Sequence, residues 1–529
     1  MVSKSYALRS NIRPSVVQAV TLLLCFGSGL LLDHLQHLGP SIVVLTTVLG
    51  MTLGRTQRRG GTRQRLVSLA TLPVVSVACN EVGRLFIEHP NVADALFTAA
   101  LGLSIWIRRF GGWAARLGTL IALPFIALLI TPVPVLPGMA PSVGRSMVWS
   151  AVAAVVAFCW VWLTQEVAER TGYLRSEPAH APTPASRSSK AKIPASTRMA
   201  VQMTLSLALA FVIGRVFFSP HWTWIVITAF IVNSGNRGRG DVIYKCLQRI
   251  AGAALGTVIA TLASGLFPPR DNTAIVIILI VLVLGSWLRT ISYAYWAGCV
   301  TSVLSLLQGY FGEGHIGLIG ERLLQIVLGG ALAVAIAWFV LPVKSSQVLT
   351  RRIADGLAAL TDALHAAQQA PEEFAGQAHR FSGSLVLLEQ VAPSTTAHRR
   401  LHQLRGRDGG HPADAVDALR ACAEPMSVLA ECAKQSPETF AEPEVAGLLR
   451  AVLGNVVGAR RFIGRREGAR YREPRELETE SQVATALYKI DDAARVICGV
   501  YGATHAHPAK SEDASVAPSP EQPLRTIGD

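Results

Sequence analysis

Long stretches upstream of Lys344 contain no Asp, Glu, Lys or Arg, among them 16–32, 117–144, 146–165, 250–269, 272–288, 290–312 and 323–343. Runs of this kind settle the environment of a chain before they settle its fold. A helix of about 20 apolar residues matches a bilayer core of about 30 Å, and within that core the helix satisfies its own backbone hydrogen bonds. Charged residues make up 16% of the 529 positions and hydrophobic ones 50%, whereas about a quarter of a soluble chain is charged. That average hides a division, because charge returns downstream of Lys344 and the apolar residues become intermittent. The pattern predicts an all-α polytopic membrane protein with a C-terminal cytoplasmic helical domain.

Turn residues and charges divide the apolar part into about twelve transmembrane helices, near 14–32, 40–54, 66–86, 92–107, 117–131, 146–166, 199–218, 222–235, 248–267, 273–288, 293–308 and 322–342. Their loops test the orientation. Thirteen Lys and Arg residues, among them Arg55, Arg58, Arg59, Arg63, Arg109, Arg116, Arg237, Arg239 and Lys245, lie in or beside one alternate set; Arg145 and Arg270 alone fall in the other. The positive-inside rule then puts both termini in the cytoplasm, in a plasma or inner membrane. The net charge of +14 follows from this topology and from contact with anionic lipid, so nucleic acid is not an expected partner.

The apolar part also looks duplicated. Trp106-Ile107-Arg108 recurs as Trp287-Leu288-Arg289, Val17-Gln18 as Val201-Gln202, and Arg145 has its counterpart in Arg322, at offsets of 181, 184 and 177. Six spans per copy is an even number, so the expected arrangement is two parallel six-helix repeats with a pathway at their interface. The predicted divisions are 1–170, the first repeat; 171–197, a Pro-, Ser- and Arg-containing cytoplasmic linker; 198–343, the second repeat; 344–503, the helical domain; and 504–529, a disordered tail. Helices are expected near 346–369, 372–391, 412–434, 443–466 and 478–500.

One local motif stands out. Arg249, Gly252 and Gly256 spell R-x-x-G-x-x-x-G at the start of the predicted ninth span, where glycines four apart permit close helix packing. The corresponding stretch Arg65–Pro73 lacks the glycines, which makes any site asymmetric. An arginine fixed beside such a packed helix pair can bind a carboxylate through two parallel hydrogen bonds. Arg65, Arg108, Arg249 and Arg289 are expected at the inner ends of spans, and Arg145, Arg215 and Arg322 at outer ends. These seven are the candidate pathway residues, since a charge at membrane depth needs a partner or a watery cavity. Arg84 has a partner within helical reach in Glu81; Arg215 has none.

At these residues the chain resembles the fusaric-acid-resistance family of integral membrane transporters. The resemblance is carried by His221-Trp222-Thr223-Trp224, the basic loop, R-x-x-G-x-x-x-G, and Glu321-Arg322 opening the last span before Leu341-Pro342. It covers about 195–345 well and 10–170 weakly; Ala253 departs from the Gly-Thr that many members carry after the first Arg-x-x. The family includes exporters of aromatic carboxylic acids and is similar in its membrane part to plant aluminium-activated malate channels. The resemblance therefore implies passage of a small organic anion, usually outward, with a homo-oligomer or an accessory export protein as candidate partners. Trp106, Trp222 and Trp287 are then candidate contacts for an aromatic ligand, although Trp106 and Trp287 also suit the interfacial aromatic belt.

Several classes of chemistry lack their signatures. Gly-Lys occurs nowhere, so no phosphate-binding loop is present. The eight cysteines show no C-x-x-C spacing, and no nucleophile or H-E-x-x-H motif occurs, so neither metal, cofactor nor enzyme activity is expected. Candidates for proton coupling are Glu81, Asp94 and Glu321, with His34, His37, His89, His221 and His315 at the outer edge. A passive anion channel needs no such group. A membrane scaffold that recruits a partner through its helical domain is the non-transporting alternative.

Overall fold

The computed structural model describes residues 12–38, 40–56, 62–130, 143–174, 193–219, 221–264, 271–289, 291–310, 318–406, 409–464, 469–475 and 481–502. Most of the expected linker, Arg58, Arg59, Arg270, His315 and the tail from 503 lie outside these residues. Among the described residues the secondary structure is helical without strands. The chain divides into two compact units, Met1–Ser345 and Ser346–Asp529.

The described part of the first unit contains twelve α-helices: α1 (Ile12–Gln36), α2 (Pro40–Thr56), α3 (Thr62–Glu88), α4 (Pro90–Trp106), α5 (Gly112–Ile130), α6 (Val143–Arg170), α7 (Ala195–Phe217), α8 (Thr223–Asn233), α9 (Arg239–Ser264), α10 (Asn272–Leu288), α11 (Tyr293–Tyr310) and α12 (Leu318–Phe339). Eight are long and apolar enough to cross a bilayer; Ser41–Gly54, Thr223–Asn233 and Thr273–Leu288 are apolar but shorter. The outward faces carry large apolar side chains, with Val74 69%, Phe217 74% and Phe339 81% exposed. Lipid suits such a surface, so the chain is a multi-pass membrane protein.

The packing scheme of α1–α6 recurs six helices later. In the first set, α1 packs on α2 and α6, α2 and α3 on α6, and α5 on α3 and α4. In the second, α7 packs on α8 and α12, α8 and α9 on α12, and α11 on α9 and α10. The sets meet through α4 on α7 and α1 on α10, a pairing that is itself reciprocal.

One boundary differs in a way that matters. The ninth helix begins at Arg239 and not near 248, because a polar segment can continue a helix once its side chains find partners. Lys245 Nζ donates to the Ser234 carbonyl at 3.0 Å and pairs with Asp241 at 3.3 Å, while Arg239 lies 4.5 Å over the Trp338 ring. Asp241 also sits in the first turn, where the helix dipole favours an acid.

The second unit packs α13 (Ser345–Gln369), α14 (Phe374–Glu389), α15 (Ala392–Leu404), α16 (Pro412–Ala421), α17 (Ala423–Gln435), α18 (Pro443–Ile463) and α19 (Gln482–Gly502) around a core that includes Ile353, Leu357, Phe381, Leu419, Leu449 and Ile490. The helix expected over 412–434 breaks at Cys422. Pro425 explains the break, since its ring would clash with the carbonyl four residues back in a continuous helix. The additional helix α15 has few apolar residues to announce it. Asp491, buried, accepts from Asn455 at 2.7 Å and Tyr471 at 2.6 Å; Asn455 in turn donates to the Arg472 carbonyl at 2.6 Å.

Candidate functional site

The site grows from a close, glycine-mediated helix contact in the first unit. A Cβ on Gly252 would fall 2.3 Å from the Ala294 carbonyl oxygen, and one on Gly256 would fall 2.3 Å from that of Gly298. Any larger residue would force α9 away from α11. Ser302 seals the contact by donating to the Gly256 carbonyl at 3.0 Å. One turn before Gly252, Arg249 is 1% exposed. Because α9 begins at Arg239, Arg249 stands ten residues into the helix, roughly 15 Å along its axis. It is buried within the helix packing, well beyond the first turn of α9.

Arg249 Nε and Nη2 have no hydrogen-bond partner among the described residues. Its surroundings include the Tyr293 ring at the start of α11 and, within electrostatic reach, Arg322 on α12. Arg322 is 6% exposed, lies 4.0 Å from the centroid of the Trp224 ring and donates to Ser305 Oγ. Two guanidinium groups thus share one interior formed by α8, α9, α11 and α12. Removing such charges from water costs several kcal/mol each unless an anion or dipoles compensate.

A different arrangement fills the α4–α7 contact, one of the places where the two helix sets meet. Arg215 on α7 donates from Nε to Asp94 Oδ2 at 2.6 Å and from Nη2 to Oδ1 at 2.7 Å. The acid missing from the neighbourhood of Arg215 in the sequence comes from α4, 121 positions away. This pair lies against rings, with Arg215 4.5 Å from Trp222 and 5.8 Å from Phe86. Phe86, Phe97, Phe211 and Trp222 stack at centroid separations of 5.1–6.0 Å, and Gly102 admits Thr204 against its backbone. The α4–α7 seam is therefore packed, and both Arg215 and Asp94 are committed to each other.

His221-Trp222-Thr223-Trp224 organises both regions from the start of α8. Trp222 lies under Arg215, Trp224 under Arg322, and His221 Nδ1 stands 3.6 Å from Glu321. Glu321 also accepts from Gln325 at 3.0 Å. Glu81 pairs with Arg84 at 3.4 Å, so all three proton-coupling candidates have partners. Arg65 likewise pairs with Glu166 on α6 at 2.9 Å, which removes it from the set of available cations.

The remaining candidates are dispersed. Arg108 lies in the turn Ile107–Phe110 after α4, with its Nε lacking a hydrogen-bond partner among the described residues. Trp106 packs edge-on to Phe110 at 5.3 Å and carries Arg109 at 5.0 Å. Arg289, exposed after α10, lies 5.4 Å from Trp296, and Trp287 is half-buried two residues earlier. Arg145 begins α6, and its side chain lies outside the described residues. No group of three or more metal-binding side chains with suitable geometry occurs among the described residues.

Comparison with known proteins adds one finding. Residues 207–336 match a family model described as fusaric acid resistance protein-like. The match runs from α7 to α12 and contains Trp222, Trp224, Arg249, Gly252, Gly256, Ser305 and Arg322. No curated protein and no solved structure matches the chain.

Proposed function

Taking the chain as one whose residues 207–336 belong to the fusaric acid resistance protein-like family, we propose that it moves small organic carboxylates across a plasma or inner membrane, outward, with both termini cytoplasmic. The Nε–Nη2 edge of Arg249 carries this reading. In Arg215 the same edge holds the two oxygens of Asp94, at 2.6 and 2.7 Å; in Arg249 it is buried and without a hydrogen-bond partner among the described residues. The molecule thus contains its own template for carboxylate binding and a second copy of the donor pair with the acceptor left out. Planar two-pronged geometry favours a carboxylate over a chloride-like ion.

The Trp224 ring beneath Arg322 supplies a flat face for an aromatic acid. On this reading the route runs inside the second set of helices, with Arg289 nearer the inner entrance. The recurring contact scheme supports two parallel repeats about a pseudo-two-fold axis along the membrane normal. Their sequences have diverged at the site, since Gly252 and Gly256 have no counterparts near Arg65.

The test is efflux of a labelled aromatic acid from proteoliposomes. Arg249→Gln should lower it about a hundredfold, and Arg249→Lys should not restore it, because an ammonium group cannot present two parallel donors. Unchanged flux in both variants, with correct insertion, overturns the Arg249 site; wild-type flux no greater than that of empty liposomes leaves the scaffold reading. A passive channel is the second transport reading, favoured by the partners held by Glu81, Asp94 and Glu321. Flux that follows membrane potential and ignores an imposed pH gradient would select it.

A further inference from the structure

The second unit brings together three histidines that the sequence separates. His398 and His402 lie on α15, and His411 precedes α16; their ring centroids are 4.7, 5.3 and 5.7 Å apart. Hydrogen bonding fixes the tautomers. His411 Nδ1 accepts the Ala413 amide at 3.1 Å, so that nitrogen must carry a lone pair. The ring proton of neutral His411 therefore sits on Nε2, which is 3.0 Å from His398 Nδ1 and donates to it. His398 in turn must carry its own proton on Nε2. Both rings have to be neutral for this chain of bonds to exist.

We infer that the His398–His411 pair is a proton-sensitive clasp: neutral, it caps α16 and ties it to α15, and protonation opens both connections. A proton on His411 Nδ1 would face the Ala413 N–H, replacing an accepted bond with two opposed donors. A proton on His398 Nδ1 would face the Nε2–H of His411 in the same way. The remaining groups around His411 are His402 and Arg399 from α15 and Asp414 from α16. Asp414 accepts the His411 amide at 2.8 Å and Arg399 at 2.7 Å, and Arg399 also reaches Asp417 at 2.7 Å.

These neighbours pull in opposite directions, and the net direction is clear. Burial comes first, then repulsion from His398; together with His402 and Arg399 they hold His411 below the ordinary imidazole value against the pull of Asp414. The folded unit thus binds its proton less readily than the unfolded chain. The stabilisation is complete above about pH 6.5 and is lost as pH falls from there through the folded-state value. A weak acid that crosses a bilayer uncharged and dissociates inside lowers the pH of that compartment. The clasp gives the second unit a means of registering such a load, and it stands independently of the transport proposal.

Hydrogen exchange on the full-length protein in detergent tests the inference, with rates corrected for intrinsic pH dependence. Between pH 7.5 and 5.5, protection of Ala413 and the following amides of α16 should fall, by up to about tenfold, the limit set by one pH unit below the unfolded value. Amides of α18 should not change. In His411→Asn the cap persists through the Asn oxygen, so protection should remain and its pH dependence should vanish. Equal protection of wild-type α16 at both pH values would overturn the clasp. So would an unaltered pH response in His411→Asn.

Discussion

Arg215 and Arg249 present the same two nitrogens to opposite circumstances. At the α4–α7 seam, Asp94 fills the Nε–Nη2 edge of Arg215, and the rings of Trp222 and Phe86 lie against that arginine. Between α9 and α11, the corresponding edge of Arg249 is buried deeper and has no hydrogen-bond partner among the described residues. An arginine whose charge is answered within the chain is part of the scaffold. One whose charge is unanswered, in a place that excludes water, retains its capacity for an external anion. On the proposed reading, burial alone does not separate the two roles; the presence of an internal carboxylate does.

The largest expected effect breaks this comparison directly. Arg249→Gln should lower carboxylate flux about a hundredfold, the loss of a charge-assisted pair of hydrogen bonds, whereas Arg215→Gln should lower it only a few-fold. Similar losses in both variants, measured in proteoliposomes, would mean that the internal acid does not distinguish the sites.

Next comes the contact that fixes the depth of Arg249. Gly256→Leu places a side chain where the Gly298 carbonyl already stands and should lower the midpoint of thermal unfolding in detergent by several degrees, or prevent assembly. Gly27, with nothing near its Cβ, is the control position, and Gly27→Ala should leave the midpoint unchanged or raise it slightly.

Asp94→Asn sharpens the other side. Removing one partner from this partly buried pair should destabilise the first unit by about 1–3 kcal/mol, discounted for its residual exposure. The double variant Asp94→Asn with Arg215→Met should recover part of that loss, as measured by denaturation midpoints. Smallest of the four, Trp224→Leu should weaken flux of an aromatic acid by about three- to tenfold, the scale of a stacking contact, while flux of an aliphatic acid changes less.

Much of the membrane architecture was legible because hydrophobicity is local in sequence. Charge-free runs such as 323–343 announce α12, and Gly252 with Gly256 announces close packing because four residues return a helix to the same face. Depth and partnership were less legible. Arg239–Gln248 looks like a basic loop until Ser234, Asp241 and Trp338 are found to absorb its charges, and that shift carries Arg249 into the interior. Arg215 seemed to lack an acid because helical spacing searches only four residues, and Asp94 arrives from another helix. The histidine clasp was invisible for the same reason, since α15 has no apolar stripe and His411 lies across a turn.

Trp222 and Trp224 are separated by a single residue at the head of an eleven-residue helix, and each is the floor beneath a different arginine. A tilt of that short rod would shift both floors at once, loosening the grip at the seam whenever the interior site adjusts to a guest. Occupancy in one place would then be communicated to the joint between the two bundles by leverage, with no relay of charges required.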